Sequence, residues 1–322
     1  MTSSPERLPD FFIVGHPKSG TTALYEMLRA HPQIFMPDLK EPRYFATDLR
    51  ARFQPASTPQ ATRLELPETL EDYLALFREA TPEQLIGEAS PSYLRSSAAA
   101  GLIAEAQPGA RIIAVLREPA SFVRSLHLEL VQNHVETEQD LRKAFANEQR
   151  AATEHKQVDG PRLPRYSDRV RYVEQLRRYE EVFPAEQILV LIYDDFRHDN
   201  EGTVRRVLAF LGVDQDVPIA AIEANPTVHV RSVRMDALVR SLYAGRGPVA
   251  GALKSAVKRV LPERVRGERL QALRRRLLYG APRPPDEDFM LELRRRFKGE
   301  VEALSEHLDR DLIAQWGYDR LD

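Results

Sequence analysis

The chain contains no cysteine, so disulfides, thiolate nucleophiles and zinc–thiolate sites are excluded, and a reducing compartment is a natural setting. No apolar run approaches the roughly 20 residues that cross a bilayer. The longest strongly apolar run, Ile188 to Tyr193, has the length of a strand. An excess of charge of one sign is also missing: 46 Lys and Arg against 48 Asp and Glu leave a formal charge of -2. Such a balance exerts no global pull on nucleic acid, so any anion site must be local. The first residues, Met1 to Asp10, are polar with Pro5 and Pro9 and have neither the basic start nor the apolar stretch of a secretory signal. These absences together lead us to expect a cytoplasmic protein with no transmembrane segment and a flexible N-terminus over 1–10.

What is present suits a globular fold: 322 residues, 43% hydrophobic, bury a substantial core. Short apolar runs at Phe11 to Val14, Leu85 to Ile86, Arg111 to Leu116 and Ile188 to Tyr193 have the character of buried parallel strands. Helical spacing runs between them at Thr22 to Ala30, Leu70 to Glu79, Ser121 to Asn133, Val170 to Val182 and Gly202 to Leu211. The alternation predicts an α/β class with a central, mainly parallel sheet flanked by helices, in a single domain over 1–322. Arg50 to Pro67 is rich in proline and polar residues and is expected as a surface excursion. The region 244–284 is basic, with Lys254 to Arg283 densest and Arg274, Arg275 and Arg276 consecutive. A solvated helix face explains it, and so does a lid or acceptor-side insertion that meets an acidic acceptor or a membrane surface.

The first strand runs at once into Gly15-His16-Pro17-Lys18-Ser19-Gly20-Thr21-Thr22 and then into the helical pattern of Leu24, Met27 and Leu28. A helix start offers free backbone N–H groups and the positive end of the macrodipole, and the two glycines let the backbone come close to an anion. Lys18 adds a full charge. Thr21 and Thr22 add hydroxyl donors, unless they only cap the helix. A triphosphate loop would carry its lysine immediately after the second glycine, where this chain has Thr21. No strand-end aspartate suited to a magnesium ion is evident either. The pattern therefore turns away from a kinase or other phosphotransferase, which stays as one alternative beside a non-catalytic nucleotide-binding protein.

A second anion site is offered where the strand Ile112 to Leu116 ends in Arg117, Pro119 turns the chain, and Ser125 follows eight residues after the arginine. Arg117 can bind phosphate oxygens in pairs and Ser125 can donate a hydroxyl. A strand-end arginine in a surface salt bridge is the plainer explanation.

These residues resemble the sulfotransferase superfamily, specifically its heparan-sulfate and bacterial branch. Pro-Lys-Ser-Gly-Thr-Thr resembles its 5′-phosphosulfate loop, and Arg117 with Ser125 its 3′-phosphate site. Lys40-Glu41-Pro42-Arg43-Tyr44-Phe45, Gly87-Glu88-Ala89-Ser90-Pro91-Ser92-Tyr93, Phe210-Leu211-Gly212 and Trp316 extend the likeness over nearly the whole chain. Three positions depart from it: Arg43 stands where the family often has histidine, Phe122 where a familiar arginine is found, and Ala89 where the heparan-sulfate enzymes carry a lysine. The last departure argues against a glycosaminoglycan acceptor.

The resemblance implies a P-loop-containing nucleotide-binding-like fold and a sulfuryl donor, 3′-phosphoadenosine 5′-phosphosulfate (PAPS), with adenosine 3′,5′-bisphosphate (PAP) as product and no required metal. Lys18, Ser19, Gly20, Thr21, Thr22, Arg117 and Ser125 are then the donor ligands, joined by Arg231 or Arg234 after Asn225-Pro226-Thr227. Lys18 would stabilise the leaving phosphate and Glu41 would be the general base. His16, His127 and His134 are rival bases by their titration range, His127 first because it lies two residues after Ser125. Glu88, Ser90, Tyr93, Arg43 and His127 are expected on the acceptor side. A hydroxyl or amine of a carbohydrate, a lipid-linked glycan or a small natural product would each serve as acceptor.

Overall fold

The computed structural model describes residues 7–50, 66–133, 135–153, 166–219, 229–230, 279–280 and 284–321. The chain divides into two compact units. One comprises Met1–Val123, Gln157–Asn225 and Met290–Asp322; the other comprises Arg124–Lys156 and Pro226–Phe289.

The first unit is built on a parallel sheet of β1 (Phe11–Gly15), β2 (Ile34–Phe35), β3 (Leu85–Ala89), β4 (Arg111–Leu116) and β5 (Ile188–Ile192), in the order β2-β3-β1-β4-β5. All of β1 is buried, and β4 after its first residue. Both faces of these strands are covered, which is why they read as continuous apolar runs rather than alternating ones. Alternate residues serve different faces. Phe11, Ile13, Ile113, Val115 and Leu191 share a core with Leu24, Met27 and Leu28 of α1 (Thr21–Arg29). Phe12 is turned the other way, against Phe45 and Tyr93 at ring separations of 5.9 and 6.3 Å.

The remaining helices of the described residues are α2 (Leu70–Ala75), α3 (Ala99–Ala106), α4 (Pro119–Gln132), α5 (Leu141–Thr153), α6 (Tyr172–Glu180), α7 (Tyr193–His198), α8 (Asn200–Leu211), α9 (Glu287–His307) and α10 (Leu312–Trp316). Thr69 and Asp72 form a reciprocal capping box at α2. The Asp199 carboxylate caps α8, whose apolar stripe of Val204, Val207, Leu208 and Leu211 joins the α1 core. In the second unit, Arg142 of α5 pairs with Asp286 at 3.3 Å and Phe145 meets Phe289. The short strands His229–Val230 and Tyr279–Gly280 pair antiparallel there.

The α/β class with a parallel sheet matches the expectation. Boundaries differ in instructive ways. β3 continues through Gly87 and the charged Glu88 to Ala89. β5 stops at Ile192, because Tyr193 opens α7, whose first turn carries Asp194 and Asp195, a favourable charge for a helix start. Within the N-terminal stretch 1–10, of which 7–10 are described, Arg7 donates to the Thr81 carbonyl and Asp10 accepts from Ile86 N–H at 2.7 Å. The surface excursion lies outside the described residues from 51 to 65, and Arg50 donates to the Pro67 carbonyl at its two ends. Of the basic region, only Tyr279–Gly280 and Pro284 are described.

Candidate active site

β1 lies between β3 and β4, and the chain leaves β1 toward one edge of the sheet and β4 toward the other, the switch in strand order at whose carboxyl ends open α/β sheets bind ligands. Four segments of the first unit leave the sheet there: the loop 16–20 after β1, the turn 90–93 after β3, Arg117 and Glu118 after β4, and Tyr193 after β5.

The loop after β1 is tightly made. Gly15 has φ 144°, and a Cβ there would come within 2.4 Å of the Val115 carbonyl oxygen, so no larger residue fits. Gly20 is the N-cap of α1 in the left-handed region, φ 83°, and as a glycine it has no side chain with which to cap the helix. Thr21 and Thr22 occupy the first two helical positions, and among the described residues no side chain accepts from the first N–H groups of α1. Lys18 is itself left-handed, φ 64°, at a cost of about 1–2 kcal/mol for an L-residue. Ser19 is 0% exposed and its hydroxyl has no hydrogen-bond partner among the described residues. A buried hydroxyl without a partner is an unfavourable feature unless a ligand completes it. Free helix N–H groups, an orphaned hydroxyl and a lysine together are a donor set that fits a phosphate or sulfate group.

Arg117 stands beside this loop. Its Nη1 donates to the Lys18 carbonyl at 2.7 Å, its guanidinium covers the Tyr193 ring at 4.7 Å, and its own carbonyl accepts from the Tyr172 hydroxyl. Glu118, which follows, accepts from Ala120 and Ser121 N–H at the start of α4 and from the Tyr318 hydroxyl. Neither Tyr193 nor Glu118 is singled out by sequence reasoning. The signal for Glu118 was its place immediately before Pro119. That for Tyr193 was the acidic pair behind it. Tyr193 and Phe196 also close on Gly20, leaving 3.1 and 2.9 Å to a Cβ built there.

Glu41 and Arg43 both have left-handed backbones, φ 60° and 57°. The Glu41 carboxylate, 27% exposed, takes the Lys40 ammonium at 3.1 Å on one oxygen and the Arg43 Nε at 3.2 Å on the other. Burial pushes this carboxyl up, but Lys40 and Arg43 outweigh it and hold it below the usual glutamate value. It is an ionised carboxylate at neutral pH.

Glu88, Ser90 and Tyr93 are completely buried. The Tyr73 and Tyr93 hydroxyls both donate to Glu88 Oε2 at 2.8 Å, while Oε1 has no partner among the described residues. Burial pushes the Glu88 carboxyl up to about 7, opposed by the hydroxyls of Ser90, Tyr73 and Tyr93. Ser90 accepts from Arg43 N–H at 3.1 Å.

Of the histidines, His16 is buried between Phe122 and Tyr172, with Nε2 against the Gln175 side-chain oxygen at 3.2 Å. Burial lowers it to about 3. Phe122, standing where the family has an arginine, serves as one wall of that pocket. In the second unit, His127 is buried with Nε2 at the Gln139 carbonyl, and burial lowers it as well. Ser125 on α4 is buried and its hydroxyl has no partner among the described residues. His134, Arg231 and Arg234 lie outside the described residues.

Residues 9–217 match the family model described as "Sulfotransferase family". The chain belongs to the sulfotransferase family. Among solved structures, this sulfotransferase is similar to "Sulfotransferase from Alicyclobacillus acidocaldarius", at 30% identity and TM-score 0.58, over 72% of this chain and 91% of that one. Among curated proteins it is similar to "Carbohydrate sulfotransferase 15" of Mus musculus, 27% identical over 251 residues, 64% of this chain and 44% of that protein. It is also similar to "Membrane-associated sulfotransferase kil1" of Dictyostelium discoideum, 33% identical over 113 residues, 35% of this chain and 21% of that protein. The chain thus spans less than half the length of these curated relatives. Family membership sets the phosphotransferase alternative aside. Among the described residues, no helix is long and apolar enough to cross a membrane.

Proposed function

We propose that this chain transfers a sulfuryl group from PAPS to a hydroxyl or amine of an acceptor, with PAP as the second product. The observation that carries the proposal is the β1–α1 loop. Its buried Ser19 hydroxyl and uncapped helix start are left for an anion, and the Lys18 backbone is turned into the left-handed region. The bound donor would supply the sulfuryl group and a good leaving phosphate. Ser19, Gly20, Thr21 and Thr22 hold its 5′ end through backbone N–H groups and hydroxyls. Arg117 and Ser125, whose spacing matches the family's, hold the 3′-phosphate, with Arg231 or Arg234 as further ligands.

As the acceptor oxygen or nitrogen bonds to sulfur and the bond from sulfur to the 5′-phosphate oxygen breaks, the acceptor becomes acidic. Glu41 then takes its proton. Lys18 neutralises the charge arriving on the phosphate, the kind of fixed electrostatic help that dominates such in-line transfers. Glu41 is a weak base because of its two cations, and it is ready because it is already ionised.

A carbohydrate acceptor is supported by the name of the mouse relative; a lipid-linked glycan or a small natural product are the other classes. The test is transfer of labelled sulfate from PAPS to a panel of these acceptors. Labelled product that disappears with Glu41→Gln, while PAP affinity stays, supports the proposal. PAP binding without transfer to any acceptor favours a non-catalytic nucleotide-binding protein.

A further inference from the structure

Glu41 to Phe45 runs past the last residue of β3 and the turn that follows, and every second backbone N–H of it is taken there. Glu41 N–H donates to the Ala89 carbonyl at 3.1 Å, Arg43 N–H to the Ser90 hydroxyl at 3.1 Å, and Phe45 N–H to the Tyr93 hydroxyl at 3.2 Å. Two of the three acceptors are side chains. A regular strand would have met backbone carbonyls throughout, but Glu41 and Arg43 are left-handed, so the segment leaves the pleat and needs acceptors placed for its own path. Two strained residues in so short a stretch persist only where their surroundings over-determine them.

The Tyr93 hydroxyl is directed from beneath. It gives its proton to Glu88, which presents its lone pair to Phe45 N–H. Ser90, Tyr93 and Glu88 are each 0% exposed, so an acceptor does not reach them in this structure, whereas each of the two hydroxyls meets the Glu41 segment. The Phe45 end is held a second time by rings, with Tyr44 stacked on Tyr73 at 4.5 Å and Phe45 edge-on to Phe12.

We propose that Ser90 and Tyr93, with Glu88 orienting Tyr93, are positioning residues that hold the strained Glu41–Phe45 turn and so fix where the Glu41 carboxylate stands. Ser90 controls the Glu41 and Arg43 end, and Tyr93 the Phe45 end. The proposal rests on the reading of Glu41 as the base for its functional meaning, but the placement itself is measurable without turnover.

The probe is the Glu41 carboxyl followed by NMR in protein carrying carboxyl-labelled glutamate, its signal assigned by its loss in Glu41→Gln. Amide hydrogen exchange over 41–45 is read in parallel. In Ser90→Ala, loosening of the turn weakens the hold of Lys40 and Arg43. The Glu41 midpoint then rises by about half a pH unit or more, and the amides of residues 41 and 43 exchange at least about tenfold faster. Ser90→Thr keeps the hydroxyl and stays near the parent in both readouts. Tyr93→Phe speeds Phe45 exchange and moves Glu41 less than Ser90→Ala does. Retained PAP binding shows that each variant is folded, and Ser90→Cys, with a weak acceptor, replaces Ser90→Ala if that chain does not fold. Unchanged titration and exchange in Ser90→Ala or Ser90→Cys overturns the proposal, as does an equal change in Ser90→Thr. If the placement data come out as expected but Glu41→Gln still transfers sulfate, the base assignment fails and the positioning of the turn stands.

Discussion

The Arg117 side chain donates to the backbone carbonyl of Lys18 at 2.7 Å. The strand-end arginine of β4 is thereby bonded to the loop that follows β1, so one guanidinium serves both proposed ends of the donor. Arg117→Ala should weaken PAP binding by about 10- to 100-fold, as expected for loss of a charge-assisted contact. A nucleotide without the 3′-phosphate should lose about threefold or less, a remnant of the lost bond to Lys18. Equal losses for both ligands, measured by calorimetry, would remove Arg117 from the 3′-phosphate.

Lys18→Ala should lower single-turnover transfer by about 100-fold or more while changing PAP affinity much less, the pattern of an interaction made in the transition state. A matching loss in both would make Lys18 a binding residue only.

Glu41 sits below the usual glutamate value because Lys40 and Arg43 overcome the effect of burial. Removing one cation leaves burial less opposed, so Arg43→Gln raises the Glu41 value, and the acid limb of kcat/KM should move to higher pH. An unmoved limb would mean that another group titrates there.

Glu88 has the opposite sign. Its folded value, about 7, lies above the reference 4.5, so its contribution is fully present below pH 4.5 and is lost as pH rises through 7. At 1.36 kcal/mol per unit the loss is of order 3 kcal/mol at most. Glu88→Gln should flatten the stability of the chain between pH 5 and 8, as read by urea unfolding. A parallel pair of curves would show that Glu88 stays ionised.

Gly20→Ala should cost stability and PAP affinity together. The left-handed N-cap strains any Cβ, and that Cβ would stand 2.9 Å from Phe196. Thermal melts and calorimetry on the same preparation check both.

Sequence spacing places β1, β4 and α1 within about a residue because each carries a local signal: a run buried on both faces, or an apolar stripe opening after glycine. The glycine-bounded loop between β1 and α1 is legible for the same reason. What escapes it depends on distant partners. A charged residue reads as a strand boundary, yet Glu88 is inside β3 because Tyr73 and Tyr93 supply its hydrogen bonds. The left-handed turns at Glu41 and Arg43 are invisible in a pattern of residue types. His16 looks like a base next to a phosphate loop, and only the packing of Phe122, Tyr172 and Gln175 around it shows that it is enclosed.

Calorimetric titration of the chain with PAP in the presence of a chelator tests the central claim most directly. The account predicts one site of micromolar or tighter affinity, weakened by Arg117→Ala, and no comparable binding of ATP with magnesium. No binding of PAP, or a clear preference for ATP with magnesium, would contradict it.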